Sequence, residues 1–242
     1  MFKAMFAVAL AGMVICLPAS GQESGRAFGN KVSIGAEASY SPTSGHILIG
    51  ISERRRTFTA GVEYTRRLWE GGSLRLDYKG EFSPLYRERD PVMVAEETTF
   101  DGQTQVFPIK PERVIAVDHN SLGDICSATC SPIYPVYGHD ETTYAAAISP
   151  LGARAILLPR RRVQPTLEAD LGVVISSRDI PVDSSANFNY QFSFGPGVQL
   201  FVSRNTAVRL EYVFRHISNA DSGAINPGID QGVFRLALSR YR

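Results

Sequence analysis

The chain has 242 residues, and its 25 Lys and Arg against 24 Asp and Glu leave a net charge of +1. Such a balance offers no basic field for a phosphate backbone, so nucleic acid binding is excluded as the main business. The length past the leader described next is one domain's worth.

Lys3 opens an apolar run from Ala4 to Leu17, followed by the small residues Ala19-Ser20-Gly21. This pattern predicts a secretory signal peptide over residues 1–21, leaving residues 22–242 as the mature domain. The run is too short for a comfortable membrane-spanning helix, and no second run is long enough. Cys16 falls inside the discarded segment. The mature chain keeps Cys126 and Cys130 in DICSATC. In an exported protein the leading reading is a disulfide closing that short loop. A metal site is the weaker alternative, because no His or Cys pair completes a tetrahedron; His119 and His139 flank the motif only loosely.

From Val32 onward the chain alternates with a period of two. Val32, Ile34, Ala36, Ala38 and Tyr40 alternate with Ser33, Gly35, Glu37 and Ser39. Similar runs follow at Thr57–Thr65, Leu74–Phe82, Val163–Ile175, Phe188–Val202, Val208–Ser218 and Phe234–Ser239, with a weaker one at Thr143–Leu157. Residues two apart lie on one face of a strand, so each run has one apolar and one polar face. Ile47, Ile49 and Ile51 form either a short ninth strand or part of a bent first strand or loop. The prolines at 150, 165 and 196 should disturb the ladder, and Gly195-Pro196-Gly197 is the best bulge candidate.

Two architectures show this alternation. A soluble sandwich buries the apolar face, whereas a transmembrane barrel turns it to lipid and closes around the polar face. The polar faces here mix acids and bases with Gly, Ser and Thr, as a narrow lumen filled by ion pairs requires. Tyr40, Tyr64, Trp69, Tyr78 and Tyr190 fall where aromatic girdles sit. Tight connections at 69–72, 158–162 and 203–205 alternate with long ones at 41–56, 86–142, 177–187 and 219–231. The expectation is an all-β, eight-stranded antiparallel up-and-down transmembrane β-barrel, with a long external loop at about 87–142.

The chemistry-bearing residues gather at the last long connection. His216 and Ser218 share the parity of Val208, Leu210, Tyr212 and Phe214, while Arg209, Glu211 and Arg215 take the other face. A base and a nucleophile thus sit on the lipid side, which makes sense if the substrate is a lipid. Their spacing allows a hydroxyl–imidazole hydrogen bond, the requirement for activating a serine. Asp230 shares the parity of Phe234 and can fix the imidazole tautomer. Asn219 and Asn226 are candidate oxyanion donors, or simply satisfy the turn backbone. A lone His-x-Ser is weak; the combination is what carries weight, because polar groups facing lipid are costly without partners.

The segment HISNADSGAINPGID resembles the active-site segment of the outer-membrane lipid A 3-O-deacylases, the PagL-type family. The shared pattern is His-x-Ser-Asn, a turn with Asn and Gly, and an acid twelve residues after the Ser; this chain has Asp where the best-known members have Glu. The close match covers about the last thirty residues, and elsewhere the likeness is one of pattern. The resemblance implies a serine esterase of the Gram-negative outer membrane that removes the 3-O-linked acyl chain of lipid A, with lipopolysaccharide as its partner. It makes His216 the base, Ser218 the nucleophile, Asp230 the acid, and Asn219 and Asn226 the site amides. It implies no metal or organic cofactor, and a homodimer is compatible with it. The alternatives are a non-enzymatic small barrel serving adhesion or membrane structure, a phospholipase-like esterase using the same trio, and a secreted sandwich.

Overall fold

The computed structural model describes residues 28–98, 104–109, 136–182 and 185–242. The leader at 1–21 and the pair Cys126 and Cys130 lie outside the described residues. The described chain is all strand, turn and irregular backbone: β1 (Val32–Ser41), β2 (Arg56–Gly71), β3 (Leu74–Thr98), β4 (Thr104–Ile109), β5 (Val136–Leu157), β6 (Val163–Ile180), β7 (Ala186–Ser203), β8 (Thr206–Ser218) and β9 (Ile229–Tyr241). Each strand pairs antiparallel with its neighbour, and β1 pairs with both β2 and β9, so the sheet closes. Eight strands form the barrel. The short β4 pairs only with the far end of β3, outside the ring.

Closure is staggered. The row of partners that leaves β9 at Gln231 passes through Arg215, Ser193, Asp170, Gly152, Lys79, Thr65 and Ser33, and returns to β9 at Tyr241. This offset is the shear that a tilted, closed sheet requires. It leaves no edge strand among the eight, so every barrel strand has a partner on both sides. Lipid, which offers no hydrogen bonds, demands that arrangement.

The faces decide between barrel and sandwich. Ile34, Val62, Leu167, Leu171, Leu210, Leu236 and Leu238 are exposed, whereas Glu63, Arg75, Lys79, Arg154, Glu168, Arg209 and Arg235 are buried. That is the reverse of a water-soluble sandwich, and it is the pattern of a transmembrane barrel. Of the aromatics expected at the girdles, Tyr40, Tyr64, Trp69 and Tyr190 are all exposed.

The lumen holds a lattice of ion pairs. Glu168 meets Lys79 at 3.0 Å, Arg154 at 2.8 Å and also Arg235. Glu63 meets Arg209 at 3.0 Å and also Arg154. Lys79 reaches Asp170 and Glu81, each at 3.2 Å. Apolar clusters close both ends of this lattice. Phe201, Ala207 and Tyr241, with Phe28 against them, lie at the short-turn end. Tyr86, Ala147, Val174, Ile180, Ile217 and Ile229 lie at the long-connection end. Above the second cluster Arg55 ties Glu88 and Asp90, each at 2.9 Å, and the Pro181 carbonyl at 2.8 Å.

Two details differ from the sequence pattern. Gly195-Pro196-Gly197 is not a bulge: Leu167 pairs with Pro196, and the β7–β8 register is the same on both sides of it. The glycines instead let β8 close in, since a Cβ at Gly195 would sit 2.3 Å from the Tyr212 carbonyl oxygen. Pro165 also pairs regularly, with Val198. A register shift does flank Pro150, between Ile148 and Leu151. The span at about 87–142, expected as a loop, begins and ends in strand. There β3 and β5 stay paired from Arg87 with Tyr144 out to Val94 with Val136.

Glu168→Ala strips Lys79, Arg154 and Arg235 of a shared anion in a buried lattice. It should destabilise the barrel by about 3–5 kcal/mol. Denaturant unfolding of the protein in lipid vesicles checks this, with Arg160→Ala at an exposed turn within about 0.5 kcal/mol of the parent.

Candidate active site

The site sits at the long-connection end of β8 and β9, on the outer face. His216 and Asp230 are direct cross-strand partners, as are Ile217 and Ile229. Alternation therefore sends the polar pair outward and the isoleucine pair into the apolar cluster inside. The barrel wall backs the site with packed side chains rather than with water.

His216 Nδ1 lies 2.6 Å from Asp230 Oδ1. An ionised carboxylate only accepts, so Nδ1 carries the proton and donates it to Asp230. That leaves the Nε2 lone pair free to act as a base. Although both side chains face outward, His216 is only 6 % exposed and Asp230 is 0 % exposed. Their cover comes from the Phe192 ring, centred 5.3 Å from the imidazole, from Gly228, and from the connection between β1 and β2.

That connection was the part of the site the sequence did not announce. Segment 44–52 is not a ninth strand. It crosses the end of β9 as a strap, with isolated bridges from Ser44 to Gln231 and from Ser52 to Ile229. The amides of Leu48 and Ile49 donate to Asp230 Oδ2 at 2.6 and 2.9 Å. Backbone amides contact neither the hydrophobic pattern nor any motif, so only the buried Gly50 hinted at close approach. A Cβ at Gly50 would lie 2.7 Å from the Asp230 nitrogen and 2.8 Å from Oδ1.

Ser218 lies beside the dyad on the same face, opposite Tyr190. Its hydroxyl donates to Asn226 Oδ1 at 3.0 Å, so the proton points at Asn226 and not at the imidazole. The expected hydroxyl–imidazole bond is therefore not made in this resting arrangement; the acceptor in the turn holds the hydroxyl instead. Catalytic hydrogen bonds of this kind often tighten only when substrate arrives.

Both asparagines shape the turn. Asn226 Oδ1 also accepts from the Asn219 amide at 3.2 Å, and Asn226 Nδ2 donates to Asp221 at 3.1 Å. Donors on one side and a carboxylate on the other fix which way the amide points. Asn219 Nδ2 donates to the Ile225 carbonyl at 2.8 Å, and its Oδ1 accepts from the Asp221 amide at 2.9 Å. Each Nδ2 commits one of its two N–H groups to these bonds and keeps a second. The amide of Ala220 donates to Ser218 Oγ at 3.1 Å, beside the oxygen that would react. Ala220 and Asp221 both hold positive φ, 50° and 60°. Two left-handed residues other than glycine cost on the order of 1–2 kcal/mol each, and the turn's hydrogen bonds hold them there.

The aromatic side chains below the site form an apolar wall. Phe192, Phe194 and Phe214 lie within 6.5 Å of one another, centroid to centroid. Tyr212 and Phe234 pack with tilted rings, 4.9 Å between centroids, on the other side.

The family model described as Lipid A 3-O-deacylase (PagL) matches residues 131–239. The chain resembles that family over a stretch that holds all five candidate residues but not the strap. Among solved structures, the chain is similar to the outer membrane enzyme PagL, with 13% identity over 84% of this chain and 97% of that one, at a TM-score of 0.49. It is also similar to Neisserial surface protein A, with 13% identity, 87% and 97% coverage and a TM-score of 0.44. A third is Ail, the attachment invasion locus protein of Yersinia pestis, with 12% identity, 89% and 99% coverage and a TM-score of 0.38. No curated protein sequence matches the chain.

The turn is braced from the β6–β7 connection as well. A Cβ at Gly223 would lie 1.6 Å from the Ser185 carbonyl oxygen. Gly223→Ala should push the two connections apart. Amide exchange across residues 219–226 should then speed up about tenfold or more, corresponding to roughly 1.4 kcal/mol of lost local stability, while global unfolding stays unchanged. Hydrogen exchange followed by mass spectrometry reads both.

Proposed function

We propose that this protein is an outer-membrane lipid A deacylase that works as a serine esterase at the 3-position. One observation carries the reading: a shielded His216–Asp230 dyad with Ser218 beside it, on the face turned to lipid. A water-soluble substrate would not reach that face. An acyl ester embedded in the leaflet would arrive there directly, its chains against Phe192, Phe194 and Phe214. The family match over residues 131–239 supports lipid A as the lipid and deacylation as the reaction.

The chemistry follows from the atoms in place. The Ser218 hydroxyl turns from Asn226 toward His216 Nε2 and gives up its proton as Oγ bonds to the ester carbonyl carbon. Asp230 holds the ring and stabilises the imidazolium that forms. The Ala220 amide, already on Ser218 Oγ, and the Asn219 side-chain amide, which keeps a second N–H, are the donors we assign to the oxyanion. Collapse breaks the bond to the sugar oxygen, which takes the proton from Nε2. A water then loses a proton to His216 and attacks the acyl-serine carbonyl; Ser218 Oγ leaves, takes that proton back from Nε2, and the 3-hydroxy fatty acid is released.

Ser218→Ala and His216→Ala should each abolish release of a 3-hydroxyacyl chain. Asp230→Asn, which keeps the shape but loses the charge, should slow turnover by about 10³–10⁴-fold. Mass spectrometry of lipid A from cells making each variant, with outer-membrane location confirmed, is the test. Unchanged lipid A with the wild type, alongside release of fatty acid from glycerophospholipid, would replace this reading with a phospholipase.

A further inference from the structure

We infer that the strap at residues 44–52 is a positioning element of the active site, acting through Asp230; this rests on the deacylase reading above. Of the two oxygens of Asp230, Oδ1 accepts from His216 and Oδ2 accepts from the amides of Leu48 and Ile49. The carboxylate is thus gripped from both sides, by the base it must orient and by a segment from the other half of the chain. A carboxylate on a short side chain has two rotatable bonds, and each left loose would let the imidazole swing. The strap removes that freedom.

The strap is itself anchored where it needs to be. The Gly45 amide donates to the Asp230 carbonyl at 3.1 Å, the Ile51 amide to the Pro227 carbonyl at 2.9 Å, and the Ser52 amide to the Gly228 carbonyl at 3.2 Å. Ser44 Oγ accepts from the Arg55 amide at 3.0 Å, closing the segment on itself. Gly50 lies flat on Asp230, where a side chain would strike backbone atoms that cannot move aside. Meanwhile Ile47, Leu48 and Ile49 are 52 %, 62 % and 65 % exposed. Those side chains therefore contribute little packing to the barrel, and the amides are what tie the segment to the dyad. Charge-assisted bonds from backbone amides to a carboxylate are among the stronger ones in proteins.

Gly50→Ala is the direct test. It should lower kcat on lipid A by roughly 10–100-fold, the scale of a small misplacement of a catalytic group, with KM unchanged. In an Asp230→Ala background, the same substitution should change nothing further, because the strap acts only through that carboxylate. Ile49→Pro removes one amide donor without crowding Asp230 and should give the same kcat-only loss. Glu53→Ala, exposed in the same connection, should leave turnover alone. A readout that needs no turnover is the imidazole Nδ1 proton of His216 in micelles by NMR, shifted downfield in the wild type and lost or moved upfield in Gly50→Ala. An equal loss of activity in the Asp230→Ala background would overturn the proposal, as would an unmoved Nδ1 proton in Gly50→Ala and Ile49→Pro. If wild-type protein leaves lipid A intact, the deacylase reading falls, and the proton resonance still decides what the strap does.

Discussion

The structure depends on one constraint: a sheet in lipid must satisfy its backbone hydrogen bonds by closing on itself. Closure fixes the parity of every strand, and parity fixes everything else. Inward positions must share a narrow lumen, so charged side chains can survive there only in mutual compensation. Glu168 among Lys79, Arg154 and Arg235 is the centre of that arrangement. A one-residue slip would turn these charges to lipid and the leucines into the lattice. Desolvation makes such a lattice a weak source of net stability, yet it makes the wrong register prohibitively costly.

The same parity explains how the His216–Asp230 dyad comes to face the membrane. His216 and Asp230 alternate with Ile217 and Ile229, so the strands that seal the lumen with apolar side chains present the polar pair on the opposite side. A rigid sheet is a precise scaffold for two cross-strand partners, because their separation is set by the ladder. Ser218, the proposed nucleophile, is the last residue of β8, where regular pairing ends and the turn begins, and its hydroxyl donates to Asn226. The dyad lies on the strands and the hydroxyl at their end.

How much of this was legible in the sequence follows from what alternation can and cannot encode. Side chains that alternate announce their face, so the eight strands, the charged lumen and the outward dyad could all be read from residues such as Val208–Ser218. The His216–Asp230 contact needed only regular pairing across one turn. What escaped was whatever the backbone does. The strap on Asp230 works through amides, which every residue except proline carries, so within Ile47–Ile51 only Gly50 hints at it. Gly195-Pro196-Gly197 carried the residue types of a bulge, but its glycines serve the close approach of β8. The Ser218 hydroxyl was expected on the imidazole; that expectation overlooked Asn226, whose carbonyl oxygen reaches across the turn.

Those omissions share a physical cause, and it bears on how the site is assembled. The strands supply the dyad from β8 and β9, near the C-terminus, whereas the grip on its acid comes from the connection after β1. Because β1 pairs with β9, closing the barrel is the event that lays segment 44–52 over Asp230. An open sheet would hold His216 and Asp230 as cross-strand partners, yet it would leave the carboxylate without its two strap amides. The β1–β9 pairing that closes the barrel therefore also completes the hydrogen bonds around Asp230.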